Sequence, residues 1–414
     1  MIEAEDGPAA ETPGGLREAI LAQVRELADR ALDLSARLHS EPETAFQEHH
    51  AAALLTEWLD KEGFAVTRGV AGLETAFVGS YGAGSPHVAF LLEYDALPGL
   101  GHGCGHNLIA AGGLTAATAL ARSLPQGTPG SILVIGTPGE EGGGGKIVEL
   151  EAGVFDGIDA ALMFHPADRT IPWRRSLACT HFRIRFRGVA AHAAKNPEQG
   201  RNALAAVIQF FIATDALRQH IGDEARMHGV ITKGGTAPNV VPDLTEAEFL
   251  VRHPSTDGVV ALAARVADCA RAAALATGTA VEITEPTPLY AERNNNHAIA
   301  SRMAEYLTAA GVEVSEPSPD DPAGSSDIGN VSQRLPCIHP YISIVPLGTP
   351  GHSVAMREAA ATPAAGQMML TAAGALARTG ADLLTDPGFL RLAADEFMKS
   401  VPPTRTAEEG RRHQ

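Results

Sequence analysis

A chain of 414 residues, 45% hydrophobic and 20% charged, has the composition of a globular protein large enough for two or three domains. With 32 Lys and Arg against 49 Asp and Glu, its formal charge is −17, a sign that repels phosphate backbones and anionic lipid headgroups, so nucleic acid and membrane surfaces are poor partners. The 43 glycines and 27 prolines fall short of a low-complexity composition, and four cysteines are too few for a disulfide scaffold, so reduced thiols are expected.

The first fifteen residues carry Glu3, Glu5 and Asp6 where a secretory or mitochondrial leader needs positive charge and an apolar run, and they read as a frayed tail on a cytoplasmic protein. No apolar stretch reaches the length of a membrane span. From Leu16 to Ser40 the apolar residues recur at helical spacing, and a second helix runs through Leu59 after the break at HSEPETAFQEHH. GFAVTRGV and TAFVGSYG read as strands, HVAFLLEYDALP as a buried strand stopped by Pro98, and HNLIAAGGLTAATALARSL as a small-residue helix. SILVIGTPGEE is a buried strand running into a glycine turn, and GIDAALMFHP another that stops at Pro166. Strands alternating with helices predict an α/β layer architecture whose chemistry lies beyond the strand C-termini.

Near Cys179 the pattern changes. HFRIRFRG alternates apolar and charged residues like a half-exposed strand. A helix from about residue 201 to 221, strands MHGVIT and TEAEFLVRH, a helix from about 258 to 276 and a strand TAVEITEP follow. That β-α-β-β-α-β order predicts a ferredoxin-like unit inserted in the larger domain. After it come a helix in HAIASRMAEYLTAAG, a strand in YISIVPLG and two more helices. The expected organisation is a disordered tail at 1–15, a first catalytic-domain segment at 16–178, the inserted unit at 179–288, a second catalytic-domain segment at 289–400 and a mobile tail at 401–414.

Cys104 and His106 follow Glu93, Tyr94 and Asp95, and a thiolate and an imidazole beside carboxylates suit a borderline-soft divalent metal, although a glycine-rich turn around a buried thiol would give the same letters. Glu140 and Glu141 end a very apolar strand, where a pair of like charges is costly unless a cation offsets it or the turn is solvated. If one of them binds metal, its neighbour is placed to take a proton from water. His165 and His352 end apolar segments in the same way, so separate strand ends offer ligand-type side chains to one rim. Arg174 and Arg175 either meet an anionic substrate or lie on a solvated turn, and His102 reads as a hydrogen-bonding helper. GEEGGGGK lacks the spacing of a phosphate-binding loop, and the absence of a Gly-x-Ser-x-Gly elbow disfavours a serine hydrolase.

EYDALPGLGHGCGHN, TPGEEGGGGK, FHP, GVAAHAAKNPEQGRNAL, GGTAPNVVPD and PGHS together resemble the aminoacylase and carboxypeptidase family of dinuclear metallohydrolases, peptidase family twenty of the metallopeptidases. Within it the chain most resembles the branch that contains the aminobenzoyl-glutamate hydrolase B subunit and the dipeptidase that cleaves β-alanyl-lysine. The resemblance implies a metallopeptidase-type α/β catalytic domain, a central mixed sheet flanked by helices, with the inserted unit as lid and dimerisation domain. It also implies metal ligands at Cys104, His106, Glu141, His165 and His352, the general base at Glu140, and an imidazole-orienting carboxylate at Asp95. His192, Asn239 and Arg252 match substrate-holding positions, the first two reaching the site of the partner subunit. Glu93 stands where the commonest family pattern has a His.

The expected activity is metal-dependent hydrolysis of the amide bond of a small N-acyl amino acid or dipeptide-like substrate bearing a carboxylate. Its alternative is hydrolytic deamination of an amino-substituted aromatic acid at the same centre. One or two divalent ions per subunit are expected, zinc or manganese first and cobalt after them, in a cytoplasmic homodimer.

Overall fold

A computed structural model describes residues 13–318, 321 and 324–400, so the predicted tails at 1–12 and 401–414 lie outside the described residues. In chain order the elements are α1 (Pro13–Ser40), α2 (His49–Lys61), β1 (Ala65–Arg68), β2 (Phe77–Ala83), β3 (His87–Leu92), α3 (His106–Ser123), β4 (Gly130–Gly136), α4 (Gly145–Glu151), β5 (Ala160–Leu162), β6 (His165–Ala167), β7 (Ala178–Arg187), α5 (Ala203–Leu217), β8 (Arg226–Lys233), β9 (Leu244–His253), α6 (Thr256–Thr277), β10 (Ala280–Thr284), α7 (His297–Ala309), α8 (Ile328–Ser332), β11 (Cys337–Ile338), β12 (Tyr341–Ser343), α9 (Val354–Ala359), α10 (Pro363–Thr385) and α11 (Pro387–Ser400). The helix α1 begins at Pro13, inside the stretch expected to be tail, and proline suits a first helical turn because its missing N–H has no partner there.

The described residues fall into two compact units, one within Met1–Arg175, Asn294–Pro322 and Val331–Gln414, the other within Ser176–Arg293 and Ala323–Asn330. The first unit is built on a six-stranded mixed sheet in the order β1-β2-β4-β3-β5-β11. The strands β3, β4, β5 and β11 run parallel, whereas β1 and β2 run antiparallel to their neighbours. The runs in β3 and β4 are apolar without alternation because both faces are covered, the composition of a parallel sheet packed between helices. Phe90 and Val134 are fully buried there, and a side chain of that size stabilises the fold by about 1.5–3 kcal/mol. The alanines and glycines of α3 let it pass close to its neighbours. A Cβ on Gly112 would come within 2.6 Å of the Phe164 ring.

Because β3, β4 and β5 are parallel, their carboxyl ends share one edge of the sheet, and that edge positions the chemistry. GIDAALMFHP does not stay one strand. β5 ends at Leu162 in the main sheet, and β6 pairs with β12 in a separate two-stranded parallel sheet. The neighbouring segment passes through Pro340, which has no N–H to continue the ladder, so His165 N–H donates to the Pro340 carbonyl at 2.9 Å and the pairing restarts beyond it.

The second unit is an antiparallel sheet in the order β10-β7-β9-β8, with α5 and α6 packed on it. Its connectivity is the ferredoxin-like order. Phe182, Ile184 and Phe186 of β7 enter the core with Phe210 and Val266, while Arg183 and Arg185 on the other face pair with Glu248 and Glu246 at 2.7 and 2.5 Å. This unit runs from Ser176 to Arg293 and also takes the described residues 324–330, where the expected insertion was 179–288. The reason lies in the backbone: Cys179 and Tyr290 exchange N–H···O bonds of 2.8 and 2.9 Å, and Leu177 N–H donates to the Gly324 carbonyl at 2.8 Å. Among the described residues no helix is long and apolar enough to cross a membrane.

Candidate metal centre

Beyond β3 the buried run Glu93, Tyr94, Asp95 leads into a turn and back to α3, whose first residue is His106. The reversal needs Gly105, which has φ +75° and whose Cβ would lie 2.9 Å from the Pro166 ring. His106 Nδ1 lies 3.0 Å from Asp95 Oδ1 and 2.9 Å from the Asp95 carbonyl, so that nitrogen donates, and in the neutral ring Nε2 carries the lone pair. The other Asp95 oxygen accepts the Glu141 N–H at 2.9 Å. One carboxylate therefore fixes both an imidazole and the turn after β4. His165 Nδ1 donates to the Pro166 carbonyl at 2.6 Å, which likewise frees its Nε2, and the His106 and His165 rings stand perpendicular with centroids 5.8 Å apart. His352 has φ +55°, its N–H donates to the Gly103 carbonyl at 3.2 Å, and its Nε2 lies 3.5 Å from Glu141 Oε2. A positive φ at a non-glycine residue is strain of the kind held at functional positions.

These side chains converge as three overlapping groups of donor atoms: Cys104, His106 and His165; Cys104, Glu141 and His352; His106, Glu140 and Glu141, each within 4.8 Å. Cys104 is common to the first two. The donor set of one thiol, three imidazoles and carboxylates fits a borderline-soft divalent ion. Two atoms show the same need directly. His106 Nε2 and Glu141 Oε1 are buried without a well-formed hydrogen bond and face each other across 3.9 Å, an arrangement that a cation resolves.

The electrostatics agree. Burial pushes His106 down, yet the Asp95 and Cys104 hydrogen bonds and the Asp95 and Glu93 charges hold it well above the ordinary imidazole value. The site is thus rich in negative charge. Burial, followed by the charge of His106, pushes His165 down to about 4, and burial pushes the Cys104 thiol up to about 12. Burial also opposes ionisation of Asp95, but the His106 hydrogen bond and charge and the Glu141 N–H keep it below the usual carboxylate range.

Two buried residues that sequence reasoning passed over support this centre. Lys146, fully buried in the first turn of α4, sets its Nζ 2.6 Å from Glu93 Oε1, while Glu93 Oε2 lies 3.5 Å from His106 Nε2. Glu48 accepts the Gly139 N–H at 2.9 Å, immediately before Glu140. No spacing rule links residue 48 to 139. Lys146 was visible only as the end of a failed phosphate-loop match. His102 hydrogen-bonds to the Leu38 carbonyl at 3.0 Å, and Arg174 lies with its guanidinium carbon 3.8 Å from the centroid of the Tyr341 ring rather than on a freely solvated turn.

The remaining predicted residues lie in the second unit. His192 and Asn239 are exposed and adjacent: the Ala193 N–H donates to the Asn239 carbonyl at 3.0 Å, and His192 bridges Val240. The Ala194 N–H donates to His192 Nδ1 at 3.2 Å, which leaves Nε2–H as a donor to solvent or ligand. Arg252, on β9, donates to Ser325 Oγ at 2.8 Å.

The family described as "Peptidase family M20/M25/M40" matches residues 89–373. The Xaa-Arg dipeptidase of Mus musculus is 38% identical over 392 residues, covering 91% of this chain and 90% of that protein. The p-aminobenzoyl-glutamate hydrolase B subunit of Escherichia coli (strain K12) is 34% identical, covering 89% and 92%. Among solved structures, the YXEP protein of Bacillus subtilis, a dinuclear metal-binding peptidase of family M20, superposes with a TM-score of 0.65 at 20% identity over 87% of this chain and 99% of that one.

Proposed function

Because the chain belongs to peptidase family M20/M25/M40, whose members hydrolyse C–N bonds, we propose that it cleaves the amide bond of a small dipeptide-like or N-acyl amino acid with a free carboxylate. The carrying observation is the pair of donor groups that share Cys104, with Glu140 alongside in the third. Cys104, His106 and His165 would hold one divalent ion, and Cys104, Glu141 and His352 a second. Thiolate and imidazole donors favour zinc, with manganese and cobalt as competitors. Such ions supply Lewis acidity and lower the pKa of water toward neutrality.

The chain's own groups perform the rest. Glu140 takes the proton from the attacking water and returns it to the leaving amine as the C–N bond breaks. Asp95 keeps His106 in the tautomer that presents Nε2. His192, through Nε2–H, and Asn239 steady the charge that develops on the carbonyl oxygen. Arg252, held by Ser325, pairs with the substrate carboxylate, a task suited to a planar guanidinium. The two relatives, a dipeptidase and an aminobenzoyl-glutamate hydrolase, both act on amides that leave a free amino acid, which favours amide hydrolysis over deamination.

A homodimer completes this reading. In the second unit Ile208 and Ile212 of α5 and Val230 of the edge strand β8 are exposed, at 46%, 63% and 61%. A strand that pairs on one side only among the described residues suits a second copy of the same strand. A screen of dipeptides, N-acyl amino acids and amino-substituted aromatic acids, with metal or chelator and with amino acid and ammonia measured separately, tests the function. Chelator-sensitive release of amino acid supports it, and ammonia as the product overturns it.

A further inference from the structure

The turn that carries the proposed base is gripped from outside the metal centre. Glu140 lies between two backbone amides, each of which donates to a buried carboxylate: Glu141 N–H to Asp95 and Gly139 N–H to Glu48, both at 2.9 Å. Asp95 already has a task in orienting His106. Glu48 lies 91 residues from Gly139 in the chain and is fully buried. Its Oε1 accepts both the Gly139 N–H and the Phe46 N–H at 2.9 Å, and its Oε2 accepts the Thr75 hydroxyl at 2.9 Å.

Phe46 shows how closely the two segments are fitted. It adopts φ +62°, rare for an aromatic residue, and its ring lies against the turn, so that a Cβ on Gly139 or Gly143 would come within 2.9 or 2.3 Å of it. The turn closes on itself above that ring through Gly143 N–H and Gly144 N–H to the Gly139 carbonyl, both at 2.9 Å. A buried carboxylate is a costly way to fill space, since an apolar side chain of similar volume needs no desolvated charge. Its use here is directional: it holds one amide in one place.

We propose that Glu48 is a positioning residue for hydrolysis, fixing the Gly139 amide so that Glu140 keeps a constant place beside Glu141 and His106. The inference rests on Glu140 being the base. Displacing a general base by as little as about an ångström lowers turnover by up to roughly 100-fold, without a matching effect on groups that only bind substrate.

The experiment measures kcat, KM, metal content and melting temperature for Glu48→Ala, Glu48→Asp and Glu48→Gln beside Glu140→Gln, assayed well below every melting transition. Glu48→Gln retains an oxygen for Gly139 N–H and is expected within about threefold of wild-type kcat. Glu48→Asp keeps the carboxyl group but falls a methylene short, and with Glu48→Ala it is expected to lose about 10- to 100-fold in kcat, with KM and metal content unchanged. A lower melting temperature with kcat per folded, metal-loaded site within twofold of wild type in Glu48→Asp would make Glu48 merely structural and overturn the proposal. Loss of metal in step with activity would overturn it too, by placing the effect on Glu141. If Glu140→Gln itself turns over normally, it is the base assignment that fails, and that result is distinct from a failure of Glu48 alone. Should Glu48→Ala not fold, the contrast between Asp and Gln decides.

Discussion

Lys146→Met removes the cation from a pair in which both side chains are 0% exposed and Nζ lies 2.6 Å from Glu93 Oε1. Met fills similar volume, so the perturbation is electrostatic. Breaking a buried pair by deleting one partner costs about 3–5 kcal/mol, because the remaining charge loses its nearest counterion and has no solvent to replace it. The pH dependence follows from Glu93. Burial raises its pKa, but Lys146, then His106 and His165, hold it below the ordinary carboxylate value, so in the wild type it contributes stability above the unfolded pKa that is lost as pH falls. In the variant the Lys146 contribution is gone and burial dominates, which raises the folded pKa and turns the carboxylate into a penalty that grows as pH rises above about 4.5. Urea unfolding of chelator-treated protein at pH 5 and pH 8 reads both effects. A deficit of about 3–5 kcal/mol at pH 8, clearly smaller at pH 5, is expected, and adding Glu93→Leu recovers most of it. A deficit under about 1 kcal/mol at pH 8, or one equal at both pH values, refutes the reasoning.

Glu140→Gln keeps the hydrogen-bonding shape of the side chain but cannot take a proton; kcat falls by about 100-fold or more with metal content unchanged, and a wild-type rate removes Glu140 as the base. His192→Ala depresses kcat without loss of metal, and mixing inactive His192→Ala and Glu140→Gln chains restores activity if each site takes His192 from the partner copy; no recovery after verified subunit exchange contradicts that arrangement. Burial pushes Glu48 up to about 7, so its favourable contribution is complete below about pH 4.5 and is lost as pH rises through 7. Glu48→Gln removes that titration, and metal-free wild type should lose stability relative to it by about 2–3 kcal/mol between pH 5 and 8. A constant difference across that range shows that Glu48 does not titrate there.

What the sequence made legible was whatever depends on neighbours in the chain. The apolar runs of β3 and β4 are strands because no polar residue interrupts them, and β7 alternates because only one of its faces meets α5 and α6. Cys104, His106, Glu140 and Glu141 stood out because ionisable residues end apolar segments, where they need a reason to be. The split of GIDAALMFHP into β5 and β6 was hidden because its cause, Pro340, lies between β11 and β12, some 170 residues further on. The helix α4 was missed because GKIVELE is only seven residues long and follows a run of glycines. The structural roles of Glu48 and Lys146 were hidden for one reason: a charged residue outside an apolar run reads as surface until the fold buries it. Their partners, Gly139 and Glu93, are 91 and 53 residues away, and no periodicity connects such distances.

Two ions sharing the Cys104 thiolate are the centre of the proposed chemistry, and the most direct test is the metal-to-chain ratio after reconstitution and desalting, measured with amide hydrolysis on the same samples. The wild type should hold two ions and release amino acid, while Cys104→Ala should hold at most one and lose turnover. A Cys104→Ala protein that keeps both ions, or a metal-stripped wild type that still hydrolyses its substrate, contradicts this arrangement.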